Sequence, residues 1–196
     1  CLPFAIFEKS PPNMGDLVDG DTPTFDKLIV RTRDYILRDG MNINDEGENS
    51  SLDWCDANAG VELEPSDWDE QLRQRQNVQL LDCRNAYESD QGSFISAKPL
   101  NTQTFSDTWA ALDCQMESQS LNQSEPVYIF CTGGIRCVKV GAYLRQKGFD
   151  DVRSLRHGII GYQRWEEDAK IKQGERESLW VGENFLFDKR KFAKDH

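Results

Sequence analysis

The sequence predicts an α/β fold: a parallel sheet flanked by helices on both faces, with a short N-terminal extension. Three observations carry that prediction. Short apolar runs of strand length alternate with longer stretches of helical periodicity through the second two thirds of the chain, the pattern of a parallel sheet joined by crossover helices. One of these runs, Val127 to Phe130, passes directly into a cysteine, two glycines and a helical pattern, the strand–turn–helix order found at the carboxyl edge of such sheets. The chain has 196 residues, 38% of them hydrophobic and 29% charged, enough for one ordinary core with appendages and too ordered a composition for a disordered segment.

Residues 1–38 hold two apolar stretches, "LPFAIF" and "FDKLIVRTRDYIL", expected as strands around a Pro/Gly/Asp-rich link. Residues 39–60 are acidic and rich in Asn, Gly and Ser, and are expected as a loop or linker. Order returns at "ELEPSDWDEQLRQ", where Ser66 and Asp69 have the spacing of a capping box and Trp68 and Leu72 share a helical face. Val78, Leu80 and Leu81 form a buried strand ending at Asp82. A helix is predicted from Thr104, a polar loop from Glu117, and a second buried strand at Val127–Phe130. On the helix that follows, Cys137, Val140, Gly141 and Leu144 face inward, while Lys139, Arg145 and Lys147 face solvent. "DDVRSL" from Asp150 supplies a third strand and "GIIGYQRWEED" from Gly158 a last helix.

Composition narrows the function classes. No apolar run approaches the roughly 20 residues of a membrane helix. The net charge of −11 opposes general binding to polyanions. Two local basic clusters stand against it: Lys27, Arg31 and Arg33, and Lys189, Arg190, Lys191 and Lys194. Both have an ordinary reading as solvated charges. Six irregularly spaced cysteines make neither a disulfide framework nor a zinc site, so no metal and no organic cofactor is expected. Reduced thiols imply an intracellular setting, the cytoplasm or an organelle such as the plastid. The chain opens at Cys1, and is expected to be a processed form from which a targeting peptide was removed or a piece of a longer chain.

The chemistry concentrates in "CTGGIRC", Cys131 to Cys137. The strand lifts Cys131 to the sheet edge. Gly133 and Gly134 are expected to relieve steric limits, so that Thr132 through Ile135 curl with their N–H groups turned inward. The N-terminus of the helix and the Arg136 guanidinium both favour a thiolate, so Cys131 is predicted to be a nucleophile of lowered pKa. Cys131 to Arg136 is a C-x4-R loop, one residue shorter than the C-x5-R loop that wraps a phosphoryl group, and it suits a terminal sulfur atom better. Cys137 has two readings, a small residue packed under the loop or a thiol that resolves an oxidised or sulfurated Cys131. His157 is read as a turn residue or a general base, and Trp165 and Trp180 as core or flap.

These residues resemble the active-site loop of the rhodanese-domain sulfurtransferase family. "LLDCRNAYE" resembles its D-x-R-x-x-x-E signature through Asp82, Arg84 and Glu88; "GSFISA" is similar to its next turn through Gly92, Phe94 and Ala97; "GFDDVRSLRHGIIGY" resembles its last strand and turn. Within the family, "CTGGIRCVK", "KLIVRTRDYIL" and "LWVGENFLFDKR" are most similar to the tRNA uridine hydroxylase subgroup. Val138 stands where that subgroup has Glu, Asn184 where it has Cys, His157 in place of a Gly and Cys83 in place of a Val.

The resemblance implies a rhodanese-like fold over residues 61–175. Residues 1–60 would then be the remnant of a ferredoxin-like unit plus linker, and 176–196 a tail. It implies a ping-pong sulfurtransferase in which Cys131 takes sulfane sulfur from a small donor and passes the persulfide to an acceptor, a tRNA uridine or a protein. Arg136 would hold the loop, and Asp82, Arg84 and Glu88 would brace it. The alternative reading is a catalytically idle rhodanese-like domain serving as a scaffold in a larger protein assembly.

Overall fold

The computed structural model describes residues 37–41, 59–75, 77–173 and 177–185, with backbone alone for 170–173. Both expected N-terminal strands, both basic clusters and most of the acidic linker lie outside these residues.

Five parallel strands form the sheet: β1 (Val61–Leu63), β2 (Gln79–Asp82), β4 (Lys98–Pro99), β5 (Val127–Phe130) and β6 (Val152–Leu155), in spatial order β1-β6-β5-β2-β4. The register pairs Asp82 of β2 with Phe130 of β5, so the two strands end side by side. A separate antiparallel pair joins β3 (Gly92–Phe94) to β7 (Trp180–Gly182). The helices are α1 (Pro65–Gln74), α2 (Ala86–Ser89), α3 (Thr108–Glu117), α4 (Ile135–Gln146) and α5 (Gly158–Gln173), with a 3-10 turn at Phe105–Asp107 ahead of α3.

Strand periodicity divides the core into two layers. Tyr128 and Phe130 of β5 turn to the α1 and α5 side, where Trp68 of α1 lies edge-on to both rings at 5.6 and 6.3 Å. Leu80, Phe94, Leu155, Ile159, Tyr162 and Trp180 complete this cluster. On the opposite side Trp109 of α3 packs against Tyr143 of α4 at 5.0 Å, and the Tyr143 hydroxyl donates to Asp113. Helices therefore cover both faces, as the sequence predicts. Cys137, Val140, Gly141 and Leu144 are all buried.

Two local expectations are corrected. Ser66 does not cap α1: Pro65 occupies the first turn with its φ already suited to a helix, Glu64 is the N-cap, and no side-chain cap forms. Asp69 instead turns inward, accepting from the Tyr162 hydroxyl at 2.6 Å and from Arg73 Nε at 2.8 Å. Lys139 does not stand free in solvent. It is half-buried and pairs with Asp39, whose carbonyl accepts from the Trp109 indole at 2.7 Å. The start of the acidic segment is thus fastened over α3 and α4.

Candidate functional site

The site lies where β2 and β5 end together. The residue after β2, Cys83, donates its N–H to the Phe130 carbonyl at 2.9 Å, and the residue after β5 is Cys131. The loop then turns through Gly134 at φ +90° into α4, a left-handed conformation that glycine adopts without penalty. Gly133 differs from expectation. A Cβ there would meet nothing within 4 Å, so packing does not require glycine at that position, and this part of the loop opens to solvent.

Cys131 is only 1% exposed. Its Sγ accepts the Gly134 N–H at 3.2 Å. The Cys137 thiol is the largest influence on it and holds Cys131 as thiolate; burial opposes this, and the Arg136 charge and the Cys137 and Arg136 N–H groups add to it. The result is a pKa lowered to about 6, well under that of an ordinary cysteine. The same contact works in reverse on Cys137, whose thiol is pushed far up by Cys131, by Cys83 and by burial. Cys137 therefore stays protonated and donates.

Arg136 is fixed from below by a two-point pair with Glu88, Nη1 to Oε2 at 2.6 Å and Nη2 to Oε1 at 2.7 Å. Burial alone would raise the Glu88 pKa, but the Arg136 hydrogen bonds and charge outweigh it and leave a net lowering. Thr132 joins the pair, its Oγ1 donating to Glu88 at 3.3 Å and accepting from Arg136 at 3.2 Å. Glu88 is itself placed by a capping box: Asn85 begins α2, and the Asn85 N–H donates to Glu88 Oε2 at 3.0 Å.

Asp82 and Arg84 form a fully buried two-point pair behind this one, with Nε to Oδ1 at 2.9 Å and Nη2 to Oδ2 at 2.6 Å. Arg84 also donates to the carbonyls of Gly92 at 2.6 Å and Glu88 at 3.3 Å. Its guanidinium sits between the Trp180 and Phe130 rings, 5.2 and 5.9 Å from their centroids. The two ion pairs thus tie α4 to α2, and the end of β2 to α2 and β3.

The first residues of α5 close the loop from the far side. Ile159 and Ile160 donate N–H groups to the carbonyls of Cys131 and Thr132 at 3.0 and 3.1 Å. Gly158, at φ +59°, leaves no room for a side chain: a Cβ would lie 2.3 Å from the Cys131 carbonyl oxygen and 2.8 Å from the Gly133 nitrogen. His157 is exposed and left-handed at φ +58°.

All the sequence-predicted residues therefore meet: Cys131, Thr132, Gly133, Gly134, Ile135, Arg136 and Cys137 form the loop, and Glu88, Arg84 and Asp82 support it in that order outward. Ile135 is 54% exposed and Tyr87, the neighbour of Glu88, 42%. Four contributors were given no place in the site by the sequence reading. The Asn85-to-Glu88 spacing is a legible capping signal; Gly158, Cys83 and the Trp180 stacking have no local signature. Among the described residues no group of three or more His, Cys, Asp or Glu is arranged to hold a metal ion, and no helix is long and apolar enough to cross a membrane.

Comparison with known families places a rhodanese-like domain over residues 65–166. The chain is 37% identical over 175 residues to the tRNA uridine(34) hydroxylase of Rickettsia massiliae, covering 89% of this chain and 63% of that protein. It is 37% identical over 171 residues to the protein of the same name from Rickettsia prowazekii, covering 87% and 61%. The chain thus spans somewhat under two thirds of the length of these relatives. Among solved structures, the rhodanese-like domain protein of Staphylococcus aureus superposes with a TM-score of 0.43 at 24% identity, covering 52% of this chain and 90% of that one.

Proposed function

The chain belongs to the rhodanese-like domain family, and on that premise we propose that it is a sulfur carrier serving tRNA uridine modification, with residues 61–175 as the working unit and Cys131 as the nucleophile. The observation that carries this reading is the Cys131 sulfur itself, held as thiolate with a pKa of about 6 inside a loop whose N–H groups face it. A donor such as thiosulfate offers a sulfane sulfur bonded to a good leaving group. The Cys131 thiolate attacks that sulfur, the S–S bond of the donor breaks, sulfite leaves with the electron pair, and a persulfide anion remains. The loop N–H groups then stabilise the charge at the terminal sulfur, and a nucleophilic acceptor removes it and restores the thiolate. Arg136 is a positioning residue here: its charge is matched by Glu88, and its work is to hold the loop open around the sulfur. The open side at Gly133 and the exposed Ile135 and Tyr87 give the acceptor its approach.

The names of the Rickettsia relatives support tRNA uridine as the ultimate substrate. The first test is thiocyanate formation from thiosulfate and cyanide, compared between this chain and Cys131→Ser. Activity abolished by the substitution supports the persulfide cycle; nucleoside mass spectrometry of tRNA treated with the protein then tests the acceptor. Folded protein inactive with thiosulfate and with other sulfane donors would instead support the scaffold reading.

A further inference from the structure

Three thiols converge beneath the loop, where a single nucleophile would suffice. Cys83, Cys131 and Cys137 are each no more than 2% exposed and all are unbridged. The Cys83 N–H bond to Phe130 seats it beside the end of β5, and the N–H of Cys137 donates to the Gly134 carbonyl at 3.0 Å, placing it in the first turn of α4. Asp82 and Phe130 are register partners, so Cys83 and Cys131 stand next to each other at the ends of neighbouring strands, and the Cys137 thiol is near enough to both for their charge to raise its pKa. Gly133 in the loop is exposed, whereas all three thiols are buried.

We propose that Cys137 and Cys83 form a buried dithiol relay that reduces the sulfane sulfur carried on Cys131 to hydrosulfide when no acceptor takes it. This rests on Cys131 being a sulfur carrier, and it adds a second activity, sulfane-sulfur reduction, to the same loop. In the first step the Cys137 sulfur attacks Sγ of the Cys131 persulfide. The bond between Sγ and the terminal sulfur breaks, that sulfur leaves with the electron pair and the Cys137 proton as hydrosulfide, and a Cys131–Cys137 disulfide remains. The sulfane sulfur is reduced by two electrons and the two cysteines are oxidised by two, so no outside oxidant enters. In the second step Cys83 gives up its proton to solvent and attacks the Cys137 sulfur, Cys131 leaves as the thiolate with the electron pair, and the disulfide passes to Cys83–Cys137. Cys131 is the favoured leaving group in that exchange because the Gly134 N–H and the Arg136 charge still favour its thiolate. A low-molecular-weight thiol returns the buried disulfide to the dithiol.

The resting arrangement fits this order of events. While Cys131 carries the negative charge on Sγ, Cys137 is occupied in donating its proton there. Sulfuration moves the charge to the terminal sulfur, releases Cys137 from that contact and lets it act on Sγ.

The test uses the full 196-residue chain, reduced, freed of thiol and given one equivalent of thiosulfate. Released hydrosulfide, intact mass and a non-reducing peptide map are followed together. The expected wild-type course is a transient gain of one sulfur atom, then a loss of two hydrogens with one hydrosulfide per chain and a mapped Cys83–Cys137 bond. Cys83→Val should stop at Cys131–Cys137, and Cys137→Ser, with Cys137→Ala as a second variant, should keep the extra sulfur and release none. A wild-type chain that holds the added sulfur as long as Cys137→Ser does overturns the relay and leaves the carrier reading standing. A chain that never gains sulfur overturns the carrier reading and the relay with it, and the mass alone separates the two failures.

Discussion

Replacing Cys137 with alanine should move the titration of a different residue. The Cys137 thiol is the strongest stabiliser of the Cys131 thiolate, and a hydrogen bond to a charged group is worth about 1.5–3 kcal/mol. At 1.36 kcal/mol per pKa unit, its loss raises Cys131 from about 6 by about one to two units. Two effects then compete. A higher pKa leaves less thiolate at acid pH, but each thiolate is intrinsically more nucleophilic, with a Brønsted slope of about 0.45. Combining them, Cys137→Ala should react about 3- to 12-fold more slowly than wild type near pH 5 and about 3- to 7-fold faster near pH 9. The two profiles therefore cross. The assay is the rate of modification by a small thiosulfonate reagent across that pH range, with the modified cysteine located by peptide mass and the exposed Cys114 as internal reference. Cys137→Ser retains an O–H donor and should lie near wild type, which separates the hydrogen bond from the packing of the side chain. Parallel profiles with an unmoved inflection would refute the assignment and leave the loop N–H groups and Arg136 as the source of the low pKa.

Three further outcomes are expected. Glu88→Gln removes the charge facing buried Arg136 and should lower unfolding free energy by about 3 kcal/mol at neutral pH. Because the Glu88 pKa is lowered from 4.5 on folding, its contribution is complete above 4.5 and is lost as pH falls through the folded value, so urea unfolding of variant and wild type should converge at acid pH. Gly158→Ala drives a Cβ into the carbonyl of Cys131 at 2.3 Å; it should cost about 1–3 kcal/mol and abolish thiocyanate formation, and a fully active variant would show that α5 does not set the loop. His157→Gly relieves a left-handed residue at φ +58° and should raise thermal stability by about 0.5–1 kcal/mol with thiosulfate turnover unchanged, whereas lost turnover would restore the general-base reading.

The sheet and the cysteine loop were legible in the chain because their signals are local. An all-apolar run such as Val127–Phe130 belongs in a sheet covered on both faces, and a cysteine followed by two glycines and a helical period fixes its own turn. Cys131, Arg136 and the inward stripe of α4 follow from spacing alone. The supporting ion pairs were visible only as a resemblance, since nothing in the separation of Glu88 from Arg136 says that they touch. Short elements such as α2 and β3 were lost for the same reason that Ser66 misled: a four-residue helix carries no period, and a proline one place earlier outweighs a capping pattern. What tertiary structure alone decided is the chemistry's fine adjustment. It seated Cys83 beside β5, fastened Lys139 to Asp39, and brought the turn at Gly158 within 2.3 Å of the loop backbone, were a side chain present there. Each of these joins residues far apart in sequence through packing of whole elements, and the pKa of Cys131 depends on such contacts because in a buried site charge and hydrogen bonds act at full strength over short distances.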